Sequence, residues 1–296
     1  MIDVNDPIIV LGHAGQVGCE MVMALRDHGY TNVIIPIVDI RTASAVLDLA
    51  KYHPKMIINC AAYTDVDKAE TDREQAFLVN AKAVGYLGML SFETNCPIIH
   101  FSTDYVFDGK KPIYKVDDAP NPLSVYGESK LAGEQLLQLK TRGMEREPII
   151  LRTSWVFSDR RKNFFKTILK KSMELDTLKV VDDQYGRPTS AREIANQVMK
   201  ILKSPKYYSG VFHLTCSGIA TSWHGFAKEI VKQAEEKGYP IKAEILPCSS
   251  AEYITPVKRP GNSVLDTSFL TETYKCSIRC WENCLEELLL GLETSL

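Results

Sequence analysis

Pro7-Ile8-Ile9-Val10-Leu11-Gly12-His13-Ala14-Gly15-Gln16-Val17-Gly18 is an apolar run of strand length that passes straight into a GxxGxxG turn and then into helix-spaced residues. A parallel strand covered on both faces reads as a continuous Ile/Val/Leu run. The turn needs small residues: the chain reverses tightly, backbone N–H groups approach a pyrophosphate, and the next helix packs close to the sheet. The positive end of that helix then favours the phosphate charge. A glycine triplet alone is weak evidence, but this one has the strand before it and the helix after it that the mechanism demands. Gly12, Gly15, Gln16, Val17 and Gly18 are therefore the candidate coenzyme contacts.

Further strands of the same kind are predicted at Asn32–Ile35, Met56–Cys60, Pro97–Phe101 and Pro148–Arg152, with helices near 17–28, 42–53, 72–94 and 125–141 between them. Alternation of this kind is the pattern of βαβ units, so the fold class is α/β, a doubly wound parallel sheet of Rossmann type. After Arg152 the alternation loosens into a helix at Asn163–Glu174, a strand at Leu178–Val181, a helix near 191–203 and a strand at Gly210–Leu214. We expect residues 1–155 to form the dinucleotide-binding part, completed by a piece of 178–225. Residues 156–296 form a smaller mixed α/β substrate-binding part interleaved with it. No repeat, low-complexity tract or linker separates the two.

Length and charge bound the answer. A chain of 296 residues holds about two domains of roughly 150 residues. Lys and Arg total 35 against 37 for Asp and Glu, a net charge of -2, so no bulk positive field draws nucleic acid. The opening Met1-Ile2-Asp3-Val4-Asn5-Asp6 has neither the basic nor the apolar part of a secretory signal. No apolar stretch reaches the roughly 18 residues of a membrane span, so the expected location is the cytoplasm. The 8 cysteines show no CxxC pair; reduced thiols packed as small hydrophobes are expected. Cys276, Cys280 and Cys284 share a helical spacing, but no fourth ligand stands nearby and no metal is expected there.

Chemistry concentrates at the ends of the later strands. Asn59-Cys60-Ala61-Ala62-Tyr63 closes the third strand with small residues, leaving room for a coenzyme to cross the sheet at Ala61, Ala62 and Tyr63; tight packing is the bland alternative. Asp39 and Ile40 are candidate adenine contacts. No acidic residue ends the second strand, which leaves NADH against NADPH open. Tyr126 and Lys130, at i and i+4, share one helical face, and Ser102-Thr103-Asp104 follows the fourth strand. Reducing a ketone builds negative charge on its oxygen, so a proton donor must lie within hydrogen-bond reach. A phenol with pKa about 10 needs roughly 3–4 kcal/mol to fall by two or three units. One ammonium about 4 Å away supplies about 4 kcal/mol at an effective dielectric near 20. On this reading Lys130 activates Tyr126 and Thr103 holds the carbonyl oxygen.

With these residues in view, the chain resembles the extended short-chain dehydrogenase/reductase family. The phrases Ala61–Glu70, Ser102–Gly109, Val125–Glu134, Arg152–Phe157, Asp183–Thr189 and Tyr253–Ser263 are similar to its nucleotide-sugar reductases and are far more specific than the glycine turn. The resemblance implies that NADPH or NADH, NADPH first, reduces the C4 ketone of dTDP-4-dehydro-L-rhamnose for a rhamnose-containing cell-surface polysaccharide. Tyr126 would be the proton donor, Lys130 its partner and a ribose ligand, and Thr103 the oxyanion contact. It also implies that Thr103, Asp104, Tyr105, Trp155, Lys258 and Arg259 meet the sugar nucleotide, whose diphosphate needs cations and whose base or deoxysugar suits a flat apolar face. Some members dimerise around a magnesium ion held by carboxylates. Glu20 and Glu193 fall at plausible positions while Gly291 stands in place of a third, so a homodimer is possible and no metal is expected. The rivals are a reductase or epimerase of a UDP- or GDP-linked 4-keto sugar, and a silent regulatory subunit on the same fold, against which the intact Thr103, Tyr126 and Lys130 argue.

Overall fold

The computed structural model describes residues 2–253 and 255–293. Met1, in the opening acidic stretch, and Ile254, inside the Tyr253–Ser263 phrase, lie outside the described residues. Strands Ile8–Leu11, Val33–Ile34, Met56–Asn59, Ile98–Thr103, Ile149–Thr153 and Gly210–His213 form one sheet. From edge to edge they run in the order sixth, fifth, fourth, third, first, second, every pair parallel. The first strand therefore lies between the third and the second, and the chain leaves it in opposite directions. In an open α/β sheet a ligand binds at the carboxyl end of such a switch point.

Side-chain alternation drives this sheet together. Ile8, Val10, Met56, Ile58, Ile99, Phe101, Ile149 and Leu151 face one core with Met21 and Leu25 of the Gln16–Asp27 helix and Val198 and Leu202 of the Ala191–Lys203 helix. Ile9, Leu11, Ile57, Ile98 and Ile150 face the other, against Val84 and Leu87 of the Ala83–Thr94 helix and Leu137 of the Val125–Thr141 helix. Each fully buried aliphatic side chain contributes about 1.5–3 kcal/mol. The second strand is shorter than expected because Pro36 follows it with no N–H to continue the ladder. The helices expected at 42–53 and 72–94 are each subdivided. The first is Ala43–Leu47 followed by a 3-10 segment, Asp48–Tyr52; the second carries a π-wound turn, Leu78–Lys82, between Arg73–Phe77 and Ala83–Thr94.

The remaining region, mostly after Arg152, is assembled differently. Its strand pairs are Thr177–Val181 with Glu244–Cys248, Val156–Phe157 with Thr189–Ser190, and Tyr185–Gly186 with Thr221–Ser222. Helices Phe164–Glu174, Trp223–Glu236 and Trp281–Glu293 pack beside them around Phe165, Ile168, Phe226, Ile230, Trp281 and Leu285. Among the described residues no helix is long and apolar enough to cross a membrane.

Candidate active site

The glycine turn lies at the carboxyl end of the first strand, at the switch point. Gly12 has φ +73° and sits so close to the third strand's end that a Cβ would come 2.5 Å from the Ala61 nitrogen. A Cβ on Gly18 would come 2.2 Å from the Gly12 carbonyl. Only hydrogen fits at either position, which leaves the turn's backbone open to a dinucleotide phosphate. The residues present therefore fit a dinucleotide coenzyme. Ala61 is held in place by its N–H to Asn59 Oδ1 (3.1 Å), and Asn59 in turn contacts His100 Nδ1 at 2.9 Å in the buried sheet. The Tyr63 backbone is clasped on both sides by Asn80, at 2.8 Å to Oδ1 and 3.0 Å from Nδ2, and Asn80 also reaches Ser129 at 3.0 Å. Asn80 stands in the π-wound turn, a device that often accompanies a functional site.

Asp39 is gripped by Arg41, which donates from Nε at 2.9 Å and from Nη2 at 2.8 Å. This contact holds the Asp39 carboxyl down at about 2. Ile40, expected against an adenine, is buried in the core shared with Val46 and Leu49.

Tyr126 is positioned by the start of its helix. Ser124 caps the helix by accepting from the Gly127 N–H at 3.1 Å, and Glu70 Oε1 accepts from the Val125 N–H at 2.9 Å. Gly127 lets this turn approach the segment Asp104–Val106, since a Cβ there would come 2.2 Å from the Tyr105 carbonyl. The Tyr105 and Tyr126 rings consequently meet edge to face at 5.6 Å. Tyr126 shares a hydrogen bond with Thr103, and Thr103 Oγ1 donates to Asp104 Oδ1 at 3.0 Å. Thr153, in register with Thr103 on the adjacent strand, has a buried hydroxyl without a partner among the described residues. A polar ligand atom would satisfy it.

The electrostatics differ from the sequence expectation. Burial pushes the Tyr126 phenol up to about 12, with the Thr103 hydrogen bond pulling against it and the Asp104 charge adding to the rise. Lys130 is buried and drops to about 8, its Nζ donating to the Phe101 carbonyl at 2.6 Å. The expected depression of the phenol by Lys130 is thus absent in the free chain: desolvation dominates both groups and the ammonium is occupied by a carbonyl. Burial also raises Asp104 to about 6, despite hydrogen bonds with Ser263 and Thr103. Behind these groups Glu134 joins Ser102 and Arg152, the latter by Nη2 at 2.7 Å and Nε at 3.0 Å, forming a buried ion pair close enough to Lys130 to favour its charge.

Beside this corner opens a cavity of about 740 Å³, within the range of small-molecule sites. One wall is the stripe Phe164, Thr167, Ile168 and Lys171; others are Trp223, Lys179 and the Val257–Arg259 stretch. Arg259 pairs with Asp67 at 3.2 Å and lies near enough to Tyr105 to affect its titration, which links the cavity to Tyr126. Lys258 lines the same space. Trp155 does not hold the wall expected of it. With φ 49°, it stacks on Trp223 at 3.5 Å and 5°, while Gly186 packs so closely that a Cβ would come 2.4 Å from the indole. Trp223 supplies the aromatic wall and Trp155 backs it. The i, i+3, i+4, i+7 spacing of Phe164, Thr167, Ile168 and Lys171 was a readable signal for a shared face. Nothing local distinguishes a cavity-facing stripe from a core-facing one.

Glu20 and Glu193 do meet in one crevice, beside Glu287, Arg192 and Arg279. Arg192 reaches Glu20 at 3.4 Å and Glu287 at 3.2 Å, while Glu193 Oε1 accepts from the Arg279 N–H at 3.1 Å and from Gln197. The guanidinium groups of Arg192 and Arg279 thus pair with Glu20 and Glu287, while Glu193 is held by a backbone amide and Gln197, and Gly291 brings no side-chain ligand.

Comparison with known proteins adds to this geometry. The family model described as RmlD substrate binding domain matches residues 6–293. A dTDP-4-dehydrorhamnose reductase of Salmonella typhimurium is 35% identical over 97% of this chain and 98% of its own length. One from Sinorhizobium fredii is 42% identical over 84% of this chain and 83% of its own. The crystal structure of the Bacillus anthracis dTDP-4-dehydrorhamnose reductase in complex with NADP superposes with TM-score 0.88 at 30% identity, covering 97% of this chain and 99% of that one.

Proposed function

Because the chain belongs to the RmlD substrate binding domain family, we propose that it is an NAD(P)H-dependent reductase. Its reaction converts the C4 ketone of dTDP-4-dehydro-L-rhamnose to the alcohol of dTDP-L-rhamnose, for a rhamnose-containing polysaccharide. The observation that carries this reading is the Tyr126 phenol joined to Thr103 at the carboxyl edge of the sheet, one helical turn from the Lys130 ammonium. The glycine turn Gly12–Gly18 would hold the coenzyme, whose nicotinamide would supply the hydride.

The chain's own residues manage the charge that the hydride creates. With its pKa at about 12, Tyr126 is protonated at neutral pH and is the group that donates to the developing alkoxide. Thr103 holds the phenol, and its hydroxyl can turn from Asp104 to the substrate oxygen. Once the phenol has released its proton, the Lys130 ammonium offsets the phenolate charge. At a pKa of about 8, Lys130 is still mostly charged at pH 7. In the cavity Lys258, Arg259, Lys171 and Lys179 supply cations for the diphosphate, and Trp223 supplies a flat face for base or deoxysugar. A cytoplasmic location and a homodimer belong to the same proposal, the first because the free cysteines and a reduced coenzyme suit a reducing compartment.

The test is coenzyme oxidation by purified protein with dTDP-4-dehydro-L-rhamnose and with UDP- and GDP-linked 4-keto sugars. Turnover fastest with the dTDP sugar is expected. Turnover with a UDP- or GDP-linked ketone alone overturns the base assignment, and none with any of them overturns the enzyme reading.

A further inference from the structure

The glycine turn carries no permanently charged side chain of its own: Gly12-His13-Ala14-Gly15-Gln16 contains neither Lys nor Arg, and offers a doubly charged pyrophosphate chiefly backbone N–H groups and a helix end. A cation does reach it from the other side of the cleft. Arg161 donates from Nε to the Ala14 carbonyl at 2.6 Å. Its neighbours fasten the same loop to the turn, Ser158 Oγ to Gln16 Oε1 at 2.8 Å and Asn163 Nδ2 to Gln16 Oε1 at 2.9 Å. Arg161 sits at φ 55°, a conformation that non-glycine residues adopt at a cost and that persists where surrounding contacts hold it. Arg160 beside it is paired with Asp159 at 3.3 Å. No carboxylate pairs with Arg161 among the described residues, and the bond through Nε leaves both of its Nη groups for an anion.

We propose that Arg161 is a coenzyme-binding residue, contributed by the loop that leads into the sugar-side Phe164–Glu174 helix, and that its guanidinium engages the dinucleotide pyrophosphate. The inference rests on the coenzyme reading above. It assigns to this loop a task beyond packing: the segment that meets the phosphate at one end continues, through the Asn163 cap, into the helix whose Phe164 and Lys171 line the sugar cavity. A planar, permanently charged fork suits the role, because it binds two phosphate oxygens together while staying charged at every working pH.

The experiment is fluorescence titration of NADPH and of NADH into the whole protein and into Arg161→Gly and Arg161→Gln, at low and high salt. Glycine relieves the left-handed backbone, so that variant is expected to melt no lower than wild type. Glutamine keeps an N–H for Ala14 but no charge. Both variants are expected to raise Kd for both coenzymes about five- to tenfold and to flatten the salt dependence, with kcat at saturating coenzyme within about twofold. Wild-type affinity in Arg161→Gln reduces the residue to a loop fastener and overturns the proposal. A loss confined to NADPH moves the contact to the 2′-phosphate and also overturns it. If the unaltered protein binds neither coenzyme, the coenzyme reading itself fails, which the variants alone would not show.

Discussion

The walls proposed to face the coenzyme and the sugar are built by different routes. The first stands on continuous strands, Ile8–Leu11, Met56–Asn59 and Ile98–Thr103, each followed within a few residues by the groups it presents. The second stands on strand pairs as short as Tyr185–Gly186 with Thr221–Ser222, and its lining comes from residues as far apart as Phe164, Trp223 and Arg259. On the coenzyme side, position follows from local chain geometry. On the sugar side it follows from packing between distant segments, so the two walls should respond separately to mutation.

The largest effect is expected at the seam between them. Tyr126→Phe removes the proposed proton donor and should lower kcat about 10²- to 10⁴-fold while coenzyme affinity stays within about twofold, read from steady-state rates beside binding titrations. An equal loss of coenzyme affinity would mean that the seam belongs to the coenzyme wall. Beneath that wall, Arg152→Ala leaves Glu134 buried without its cation and should cost about 3–5 kcal/mol in urea unfolding. On the opposite wall Trp223→Ala should raise the sugar KM about tenfold and leave coenzyme Kd unchanged; a shift in both would merge the two walls into one.

Two milder effects follow from burial at the seam. The reduction rate should fall as pH rises through about 8, because Lys130 loses the charge that offsets the phenolate; a flat profile from pH 7 to 10 would remove Lys130 from that task. Asp104 has a folded pKa raised to about 6. The stability such an acid contributes is complete below its unfolded value and is lost as pH rises through the folded one. Asp104→Asn should therefore stabilise the fold by about 1–2 kcal/mol at pH 8 and give no gain at pH 4, as measured by paired urea melts.

The glycine turn, the sheet strands and the Tyr126–Lys130 spacing were legible because each is local: a strand covered on both faces must be apolar throughout, a close approach must be glycine, and i, i+4 places two side chains on one face. The division of labour between Trp155 and Trp223 was not, since it depends on Gly186 closing over one indole while the other is left at the cavity. Asn80 was equally silent, because its two bonds to Tyr63 require a π-wound turn that no periodicity announces. The sign of the Tyr126 shift was misread for the same kind of reason. Spacing supplies the neighbouring ammonium, but burial and the Phe101 carbonyl determine what that ammonium does.

By itself, then, the chain's order of residues determined a doubly wound parallel sheet, a tight glycine turn at its switch point and a phenol with an amine one turn away, all consequences of backbone period and of side-chain size. Only the tertiary structure decided which aromatic ring lines the cavity, which cations face it, that Arg161 reaches Ala14, and how far each buried group titrates from its ordinary value. Those depend on desolvation and on contacts between segments far apart in the chain, and neither quantity is written in any short stretch of it.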